Sequence, residues 1–525
     1  MHCIRYCVLV IDFGSQYTQL LLKRIRELGV YSELCDWRCI SDLQLHKLNP
    51  RGIIFSGGPY SVIQGCVPSV PEFVFGLDIP ILGICYGMQI MASQLGGLVK
   101  KSDNQGEFGQ SQVEIINHSV LISGIYDSIN DRGNLVLDVW MSHGDTVTMV
   151  PKDFVVVGVT KYSNISIMMH RKYHFFGVQF HPEVTHTKKG KDILKRFVID
   201  ICHCVITWKP TNIITNIIER VQKTVGGDKV VLAFSGGIDS FVTALLLRRA
   251  IRNQLVCIFI DNGLLCFNEF DRVRNFCKKY YELNIVCVSE EQRFLNALSG
   301  VIDPEEKRKI IGKVFIETFM IQINNFQNVK WLAQGTIYSD VIESGASPFL
   351  SANIIKSHHN VGGLPDVMNI QLLEPLRNLF KDDVRNIGEC LGLPKHIVYR
   401  HPFPGPGMAI RIIGEVKKKY CNILREADRI FIEELHRYGI YNQISQAFAV
   451  FLPIYSVGVF GDQRQYQCVI ALRAVETVDF MTAHWAHLSY ELLEKISNRI
   501  VNEVKGVSRV VYDISSKPPA TIEWE

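Results

Sequence analysis

The sequence predicts an α/β fold with two parallel-sheet domains and a third, smaller domain. Short apolar strands alternate with amphipathic helices through the first two hundred residues, a pattern typical of a parallel sheet. The same alternation starts again after Trp208-Lys209-Pro210. It stops at Arg400-His-Pro-Phe-Pro-Gly-Pro-Gly407, where three prolines and two glycines exclude both helix and central strand. We therefore predict domains at 1–207, 208–400 and 401–525.

The predicted elements follow one another in chain order. In the first domain we expect a helix near Gln16 to Leu28 and four strands, at Tyr6 to Ile11, Gly52 to Phe55, Ile79 to Ile84 and Phe175 to Phe180. In the second domain we expect a helix from about Asp239 between two strands, at Lys229 to Phe234 and Leu255 to Ile260.

Composition favours a globular, cytoplasmic chain without a nucleic-acid or membrane partner. Lys and Arg number 56 against 52 Asp and Glu, so the net charge is only +4. No apolar run approaches the roughly 20 residues that span a bilayer, and no leader is apparent. The 15 cysteines are odd in number and scattered, which favours reduced thiols. Cys202-His203-Cys204 could bind a metal, but it lacks a second pair at zinc spacing, and burial is the alternative.

A strand, a tight turn and a helix surround Cys85 in Ile79-Pro-Ile-Leu-Gly-Ile-Cys85-Tyr-Gly-Met-Gln-Ile-Met-Ala. This pattern predicts a nucleophile elbow, because a helix N-terminus favours a thiolate and its amides can stabilise an oxyanion. His181 and Glu183 follow an apolar strand, and Glu183 could orient His181 as the base for Cys85. A buried inert thiol and a structural histidine are the alternatives, and His143 is a rival base.

The two patterns together resemble the class I glutamine amidotransferase family. Its G-x-C-x-G and H-P-E motifs stand here as Gly83-Ile-Cys85-Tyr-Gly87 and His181-Pro-Glu183. The resemblance implies that Cys85, His181 and Glu183 release ammonia from glutamine through a thioester. It also implies a glutamine and oxyanion site that comprises Gly58, Tyr86, Gln89, Ser142 and His143.

A second strand-turn-helix pattern holds the hexapeptide Ser235-Gly-Gly-Ile-Asp239-Ser240. The two glycines let backbone amides approach phosphate oxygens, and the N-terminus of the following helix favours negative charge. Asp239 cannot bind phosphate directly and is suited to Mg²⁺. A simple helix cap is the alternative.

The hexapeptide resembles the PP-loop of ATP pyrophosphatases, a family that adenylates an oxygen and releases pyrophosphate. The resemblance implies Mg-ATP as substrate, with the metal on Asp239 and ATP contacts from Ser235, Gly236, Gly237, Ile238, Asp239, Ser240, Phe241 and Asp261. Phe241 stands where this family usually has a small residue, so its side chain either crowds the loop or faces the core. Asp261 closes the next strand and could instead form a turn or a helix cap.

Motifs beyond residue 300 resemble the glutamine-hydrolysing GMP synthetase family, in a likeness that covers residues 6 to 525. They are Asp303-Pro-Glu-Glu-Lys-Arg308-Lys-Ile-Ile-Gly312, Gln334 to Ser344, Lys356 to Pro365 and Ser516 to Glu525. The family implies that ATP adenylates xanthosine monophosphate (XMP) and that ammonia from glutamine then gives GMP. It also implies a small α+β dimerisation domain at 401–525. XMP contacts would come from Arg308, Asp462, Lys517, Ile522 and Glu523.

The same family has a mobile lid between activation and amination, and its members form homodimers. The lid would include Lys356, His358, His359, Lys381 and Asp382. Tyr455 and His484 depart from the residues that family members more commonly carry, which affects expected dimer contacts or surface charge. Two rival hypotheses are another glutamine-dependent PP-loop ligase with a carboxyl or tRNA substrate, and a catalytically lapsed regulatory protein. The Lys517 to Glu525 signature and the intact catalytic motifs argue against them.

Overall fold

The computed structural model describes residues 8–65, 67–102, 106–343, 370–477, 480 and 482–525. The chain forms two compact units, which we call the first unit (1–216 with 341–355) and the second unit (217–340 with 356–525). No helix in these described ranges is long and apolar enough to cross a membrane. The predicted boundaries near 207 and 400 stay predictions.

The first unit contains a ten-stranded sheet in the order β2-β1-β3-β4-β12-β11-β10-β6-β8-β7, and β5 pairs separately with β9. A π-helical turn, Arg196–Ile201, follows α4. The elements are β1 Val8–Asp12, α1 Thr18–Glu27, β2 Ser32–Asp36, α2 Asp42–Leu48, β3 Gly52–Phe55, β4 Ile81–Ile84, α3 Tyr86–Gln94, β5 Leu98–Lys101, β6 Glu107–Ile115, β7 Ser128–Ile129, β8 Leu135–His143, β9 Asp145–Met149, β10 Phe154–Val159, β11 Ile167–His170, β12 Phe175–Val178 and α4 Gly190–Lys195.

Only half of this sheet is parallel. Strands β2, β1, β3, β4 and β12 pair in parallel, as predicted, whereas the strands from β11 to β7 pair antiparallel. The described residues between 98 and 178 contain no helix, and a connection between parallel strands usually contains one, which agrees with the antiparallel pairing of these strands. The predicted strand through Phe180 ends at Val178, so His181 and Glu183 lie on the following turn.

Helix α5, Pro210–Val225, contains the boundary between the units. The second unit has a fully parallel five-stranded sheet in the order β15-β14-β13-β16-β17, which confirms the second predicted parallel sheet. Its elements are β13 Lys229–Ala233, α6 Ile238–Ile251, β14 Leu255–Asp261, α7 Glu269–Tyr281, β15 Ile285–Ser289, α8 Glu291–Ala297, α9 Pro304–Ile323, β16 Val329–Ala333, β17 Gln371–Leu373, α11 Lys381–Cys390 and α12 Lys395–Val398. Helix α10, Tyr338–Glu343, contains another boundary between the units.

An α+β part completes the second unit. The connector 400–406 has neither helix nor strand, as its prolines predict. Strands β18 and β19 form a long hairpin, and β20 and β21 both pair with β19. The elements are α13 Lys418–Arg437, β18 Gln446–Phe460, β19 Gln463–Glu476, β20 His484–Trp485, α14 Tyr490–Glu503 and β21 Val507–Tyr512.

Candidate active sites

The turn that carries Cys85 is strained and tightly packed. Cys85 joins β4 to α3 with φ 51° and ψ −108°, a conformation that non-glycine residues rarely adopt. A Cβ atom at Gly83 would lie 2.6 Å from the main-chain oxygen of Gly87, and one at Gly87 would lie 2.3 Å from that of Phe55. Only glycine fits at either position. The Cys85 thiol is therefore held at the N-terminus of α3, where the helix dipole favours negative charge.

His181 and Glu183 form a buried pair next to Cys85. His181 Nδ1 and Glu183 Oε1 are 2.7 Å apart, and the Tyr17 ring packs edge-on against the imidazole. Burial opposes a charged imidazole, but the Glu183 carboxylate and a hydrogen bond with Cys85 outweigh it and raise the pKa of His181 well above its ordinary value. The arrangement can move a proton between the thiol and a leaving group.

His143, the rival base, has different partners. Its Nδ1 lies 2.9 Å from the main-chain oxygen of Asp145, and its Nε2 lies 3.3 Å from Glu107 Oε2. Burial opposes ionisation of Glu107, but hydrogen bonds from His143 and Thr160 lower its pKa below the ordinary value. Because both ring nitrogens of His143 are engaged, the geometry favours His181 as the base for Cys85.

A cavity of about 430 Å³ opens at Cys85. The predicted residues that line it are Gly58, Cys85, Tyr86, Gln89, Ser142, His143 and His181. Gln89 Nε2 donates to the main-chain oxygen of Asp145 at 2.8 Å. Asp145 also lines the cavity, and its Oδ2 is buried without a hydrogen-bond partner, which suits it to a donor or cationic group of a ligand.

The second strand-turn-helix motif also forms as predicted. Gly236 has φ 76°, which favours glycine, and Gly237 precedes the first residue of α6. Ser240 Oγ donates to the Gly237 main-chain oxygen at 2.9 Å, and Ser235 Oγ lies 3.2 Å from Ser240 Oγ. Both hydroxyls therefore stabilise the turn through hydrogen bonds. The N-terminus of α6, which begins at Ile238, favours the binding of a phosphate group.

Asp239 has one paired and one unpaired carboxylate oxygen. Oδ2 accepts from Lys381 Nζ at 2.6 Å, whereas Oδ1 is buried without a hydrogen-bond partner. A Cβ atom at Gly335 would lie 3.1 Å from the main-chain carbon of Asp239, so Gly335 packs closely behind the loop. A buried carboxylate oxygen with free capacity fits a hard cation such as Mg²⁺.

Phe241 and Asp261, two predicted ATP contacts, have partners within the protein, and their contact with ATP stays a prediction. The Phe241 side chain is buried against Phe234, with ring centroids 4.9 Å apart, so it faces the core and does not crowd the loop. Asp261 Oδ1 accepts from Gly263 N at 2.9 Å and forms the tight turn that was the alternative to a nucleotide contact.

Four of the predicted XMP residues belong to, or contact, the segment 513–525. Arg308 donates to Glu305 Oε1 at 2.5 Å and to the main-chain oxygen of Glu525 at 2.6 Å. Glu523 accepts from Arg411 and from Gln446. Lys517 Nζ donates to the main-chain oxygen of Phe480, and Ile522 belongs to a small buried hydrophobic cluster that includes Ala483.

Asp462 lies apart from these four residues within the chain. It occupies the exposed turn at the tip of the β18–β19 hairpin, whereas Gln446, which contacts Glu523, stands at the start of β18. Strand β18 has 15 residues, about 45–50 Å at the usual rise of a strand. The resemblance to the family predicts one XMP site for all five residues. It does not predict that Asp462 lies far from the other four within a single chain.

The predicted lid falls largely outside the described residues. Lys356, His358 and His359 lie in 344–369, which the structure does not describe. Lys381 and Asp382 begin α11, where Lys381 pairs with Asp239 and Arg385 donates to Asp382 at 3.3 Å.

The motif Cys202-His203-Cys204 does not gather metal ligands. Both cysteines are buried, and burial raises the pKa of Cys204 to about 12, which opposes the thiolate that a metal needs. In the part of the chain that is described, no group of three or more His, Cys, Asp or Glu side chains could hold a metal ion.

Three family models match the chain. Residues 9–201 match glutamine amidotransferase class-I, residues 229–309 the phosphoadenosine phosphosulfate reductase domain, and residues 433–524 the GMP synthase C terminal domain. The chain is 64% identical over 525 residues to the glutamine-hydrolyzing GMP synthase of Blochmanniella floridana. The match covers 100% of this chain and 99% of that protein. The chain belongs to the glutamine-hydrolysing GMP synthase family.

A second curated relative matches over the whole chain, and a solved structure matches over part of it. The glutamine-hydrolyzing GMP synthase of Blochmanniella pennsylvanica is 66% identical over 526 residues, with 100% of both chains covered. A solved glutamine amidotransferase from Thermotoga maritima is 18% identical, covers 38% of this chain and 98% of its own, and has a TM-score of 0.30. Family membership confirms the resemblance stated for the motifs beyond residue 300.

Several residues at these sites were missed by motif analysis. Ser15 and Tyr17 line the cavity, and they follow β1 at the carboxyl edge of the parallel strands, where ligands usually bind. That rule could have found them. Lys307 and Arg473 are buried cations that contact the segment 513–525, and no local pattern distinguishes them from surface residues.

We predict that Glu183→Gln lowers the pKa of His181. The Glu183 carboxylate stabilises the charged imidazole, so loss of that charge lets the proton leave at a lower pH. An NMR titration of ¹⁵N-histidine-labelled protein, with His181 assigned by its loss in a His181→Gln sample, measures the change. Glu107→Gln removes the same charge beside His143 and is the matched control. An unchanged His181 titration in Glu183→Gln would contradict the role of the pair.

Proposed function

We propose that this chain converts XMP, ATP, glutamine and water into GMP, AMP, diphosphate and glutamate, a step of purine nucleotide biosynthesis. The observation that carries the proposal is the cavity at Cys85, with His181 and Glu183 paired beside it, in a chain of this family. A thiol, a base and an orienting carboxylate are the groups that amide hydrolysis needs.

In the glutaminase step, Cys85 Sγ attacks the side-chain amide carbon of glutamine. His181 takes the thiol proton and gives it to the departing nitrogen, so ammonia leaves and a thioester remains. Water, deprotonated by His181, then releases glutamate and restores the thiol. Main-chain amides at Gly58 and at Tyr86 are suited to stabilise the oxyanion, and Gln89, Ser142 and His143 to hold glutamine.

In the synthetase step, an oxygen of the XMP base attacks the α-phosphorus of ATP and diphosphate leaves. Ammonia then adds to the activated carbon, and AMP departs with the oxygen. Ser235, Gly236, Gly237 and Ser240 would cradle the phosphates at the N-terminus of α6. Asp239 would hold Mg²⁺ through its unpaired oxygen, and the ion would supply charge neutralisation on the phosphates.

The XMP site would use Arg308, Lys517 and Glu523, with Arg308 and Lys517 suited to the monophosphate. Because Asp462 lies at the tip of a long hairpin, it would serve the site of a second copy of the chain. The hairpin favours such a homodimer, since Tyr455, Val457, Val459 and Tyr466 are exposed on one face of it; Val459 is 71% exposed.

Some finer assignments stay predictions. They are the cytoplasmic location, the domain boundaries near 207 and 400, and the lid role of Lys356, His358, His359, Lys381 and Asp382. Lysines in a lid would stabilise developing phosphate charge, and the pair between Lys381 and Asp239 supports a place for Lys381 at the phosphates.

We expect Cys85→Ala to abolish glutamine-dependent GMP formation and to leave ammonium-dependent formation within about twofold of the unaltered chain, because only ammonia supply uses the thiol. GMP is measured by chromatography with XMP and Mg-ATP present and either glutamine or ammonium as nitrogen donor. Cys35→Ala, a buried cysteine outside the cavity, is the matched control. Equal loss with both donors would reject this division of labour.

We expect Asp239→Asn to reduce GMP formation with both nitrogen donors by at least about a hundredfold, because the amide binds Mg²⁺ poorly. Diphosphate release and GMP are followed together across a range of Mg²⁺ concentrations, and glutaminase activity is measured in parallel. Asp228→Asn, before β13 in the same unit, is the control. Full diphosphate release by Asp239→Asn would exclude the metal role.

We expect Val459→Asp with Tyr466→Asp to convert a dimer into a monomer, because charge on the apolar face of the hairpin opposes its burial. Sedimentation equilibrium measures the change, and Tyr490→Asp, at a 91% exposed position, is the control. A monomer that keeps an unchanged KM for XMP would show that the hairpin does not complete the XMP site.

A further inference from the structure

The segment 513–525 lies against three buried cations. Arg473 and Lys307 have 0% exposure and Arg411 has 3%. Arg473 donates to the main-chain oxygens of Ser515 and Thr521, and Arg411 forms two hydrogen bonds with the Glu523 carboxylate, at 2.9 and 3.1 Å.

Of these three cations, Lys307 is adjacent in sequence to Arg308, the predicted ligand of the XMP phosphate. Its Nζ donates to the Glu525 carboxylate, to the main-chain oxygen of Ile412 at 2.8 Å and to that of Ala409 at 3.3 Å. The other Glu525 carboxylate oxygen accepts from Gly414 N at 3.2 Å. Glu525 is therefore fixed from two sides.

Glu525 in turn holds Arg308. One guanidinium nitrogen of Arg308 donates to the main-chain oxygen of Glu525, and another donates to Glu305. Asp303 caps the helix that carries both Lys307 and Arg308, since its side chain accepts from Glu306 N at 2.8 Å. The direction of the Arg308 guanidinium thus depends on where the Lys307–Glu525 pair places residue 525.

A buried ion pair such as Lys307–Glu525 is costly to desolvate, and apolar residues of similar volume in place of both partners often give equal or greater stability. Stability alone therefore does not account for Lys307. A charged pair with several directional partners does fix one position of a segment, which is what a phosphate ligand such as Arg308 needs.

We propose that Lys307 is a positioning residue for XMP, which acts through Glu525 to hold the Arg308 guanidinium where the nucleotide phosphate binds. The inference rests on the proposed function and extends it to two residues outside the predicted site. Lys307 does not touch XMP. Its effect is on XMP affinity, and ATP affinity and glutamine hydrolysis do not depend on it.

The test uses three single variants of the full chain, Lys307→Met, Glu525→Gln and Arg308→Met. It also uses two double variants, in which Arg308→Met is combined with Lys307→Met or with Glu525→Gln. Ammonium-dependent GMP formation gives KM for XMP, KM for ATP and kcat, and glutaminase activity and the thermal transition are recorded for each variant. Lys309→Met, at an exposed position of the same helix, is the matched control for loss of a lysine charge.

We expect Lys307→Met and Glu525→Gln each to raise KM for XMP by about tenfold, with kcat, KM for ATP and glutaminase activity within about twofold of the unaltered chain. Neither should add to the effect of Arg308→Met, because they act through the same group. Glu525→Gln keeps the shape of the side chain. If Lys307→Met does not fold, the KM for XMP of Glu525→Gln tests the proposal.

Several results would overturn the proposal. They are an unchanged KM for XMP in Glu525→Gln, an equal rise in KM for ATP, or full additivity with Arg308→Met. Failure of the unaltered chain to form GMP is a different outcome, since it would remove the proposed function and this inference with it.

Discussion

Both candidate centres depend on one constraint: the chain must leave a buried parallel strand and enter a helix within a few residues. At Cys85 a single residue makes the connection, with φ 51°. At the second centre the four residues 234–237 make it, with Gly236 at φ 76°. So short a turn places a side chain or an amide at the positive end of a helix, which suits a thiolate in one case and a phosphate in the other.

Some of the buried carboxylate oxygens without a hydrogen-bond partner lie at these two centres. In the described ranges, buried carboxylate oxygens without a hydrogen-bond partner include those of Asp145, Glu183 and Asp239. An unpaired buried acceptor costs free energy, so it persists where a ligand or an ion completes it or where a charge is needed. Asp145 faces the cavity, and Asp239 has one oxygen free beside Lys381. Two of these unpaired oxygens therefore lie at the sites that the motifs predict.

The parts of the structure that could be predicted from the sequence are local. The elbow at Cys85, the pair of His181 with Glu183 and the glycine turn at 235–240 each depend on a few consecutive residues, and all formed as predicted. The antiparallel half of the first sheet was not predicted, because a succession of short apolar runs does not by itself fix the direction in which strands pair. The contact of Lys381 with Asp239 was not predicted either, because 142 residues separate them and no periodic pattern encodes that distance.

The segment 513–525 shows why long-range charge is hard to predict from sequence. Arg473 lies on β19 among apolar neighbours, and its burial is possible only because residues 513–521 bring an acid and two main-chain oxygens to its guanidinium. Each partner alone is an ordinary loop residue. Since neither half of such an arrangement is stable when buried without the other, the segment and its cations must adopt their positions together. The contacts with these cations thus offset the conformational entropy lost when the segment is ordered, and the same contacts define the shape of the surface beside Arg308.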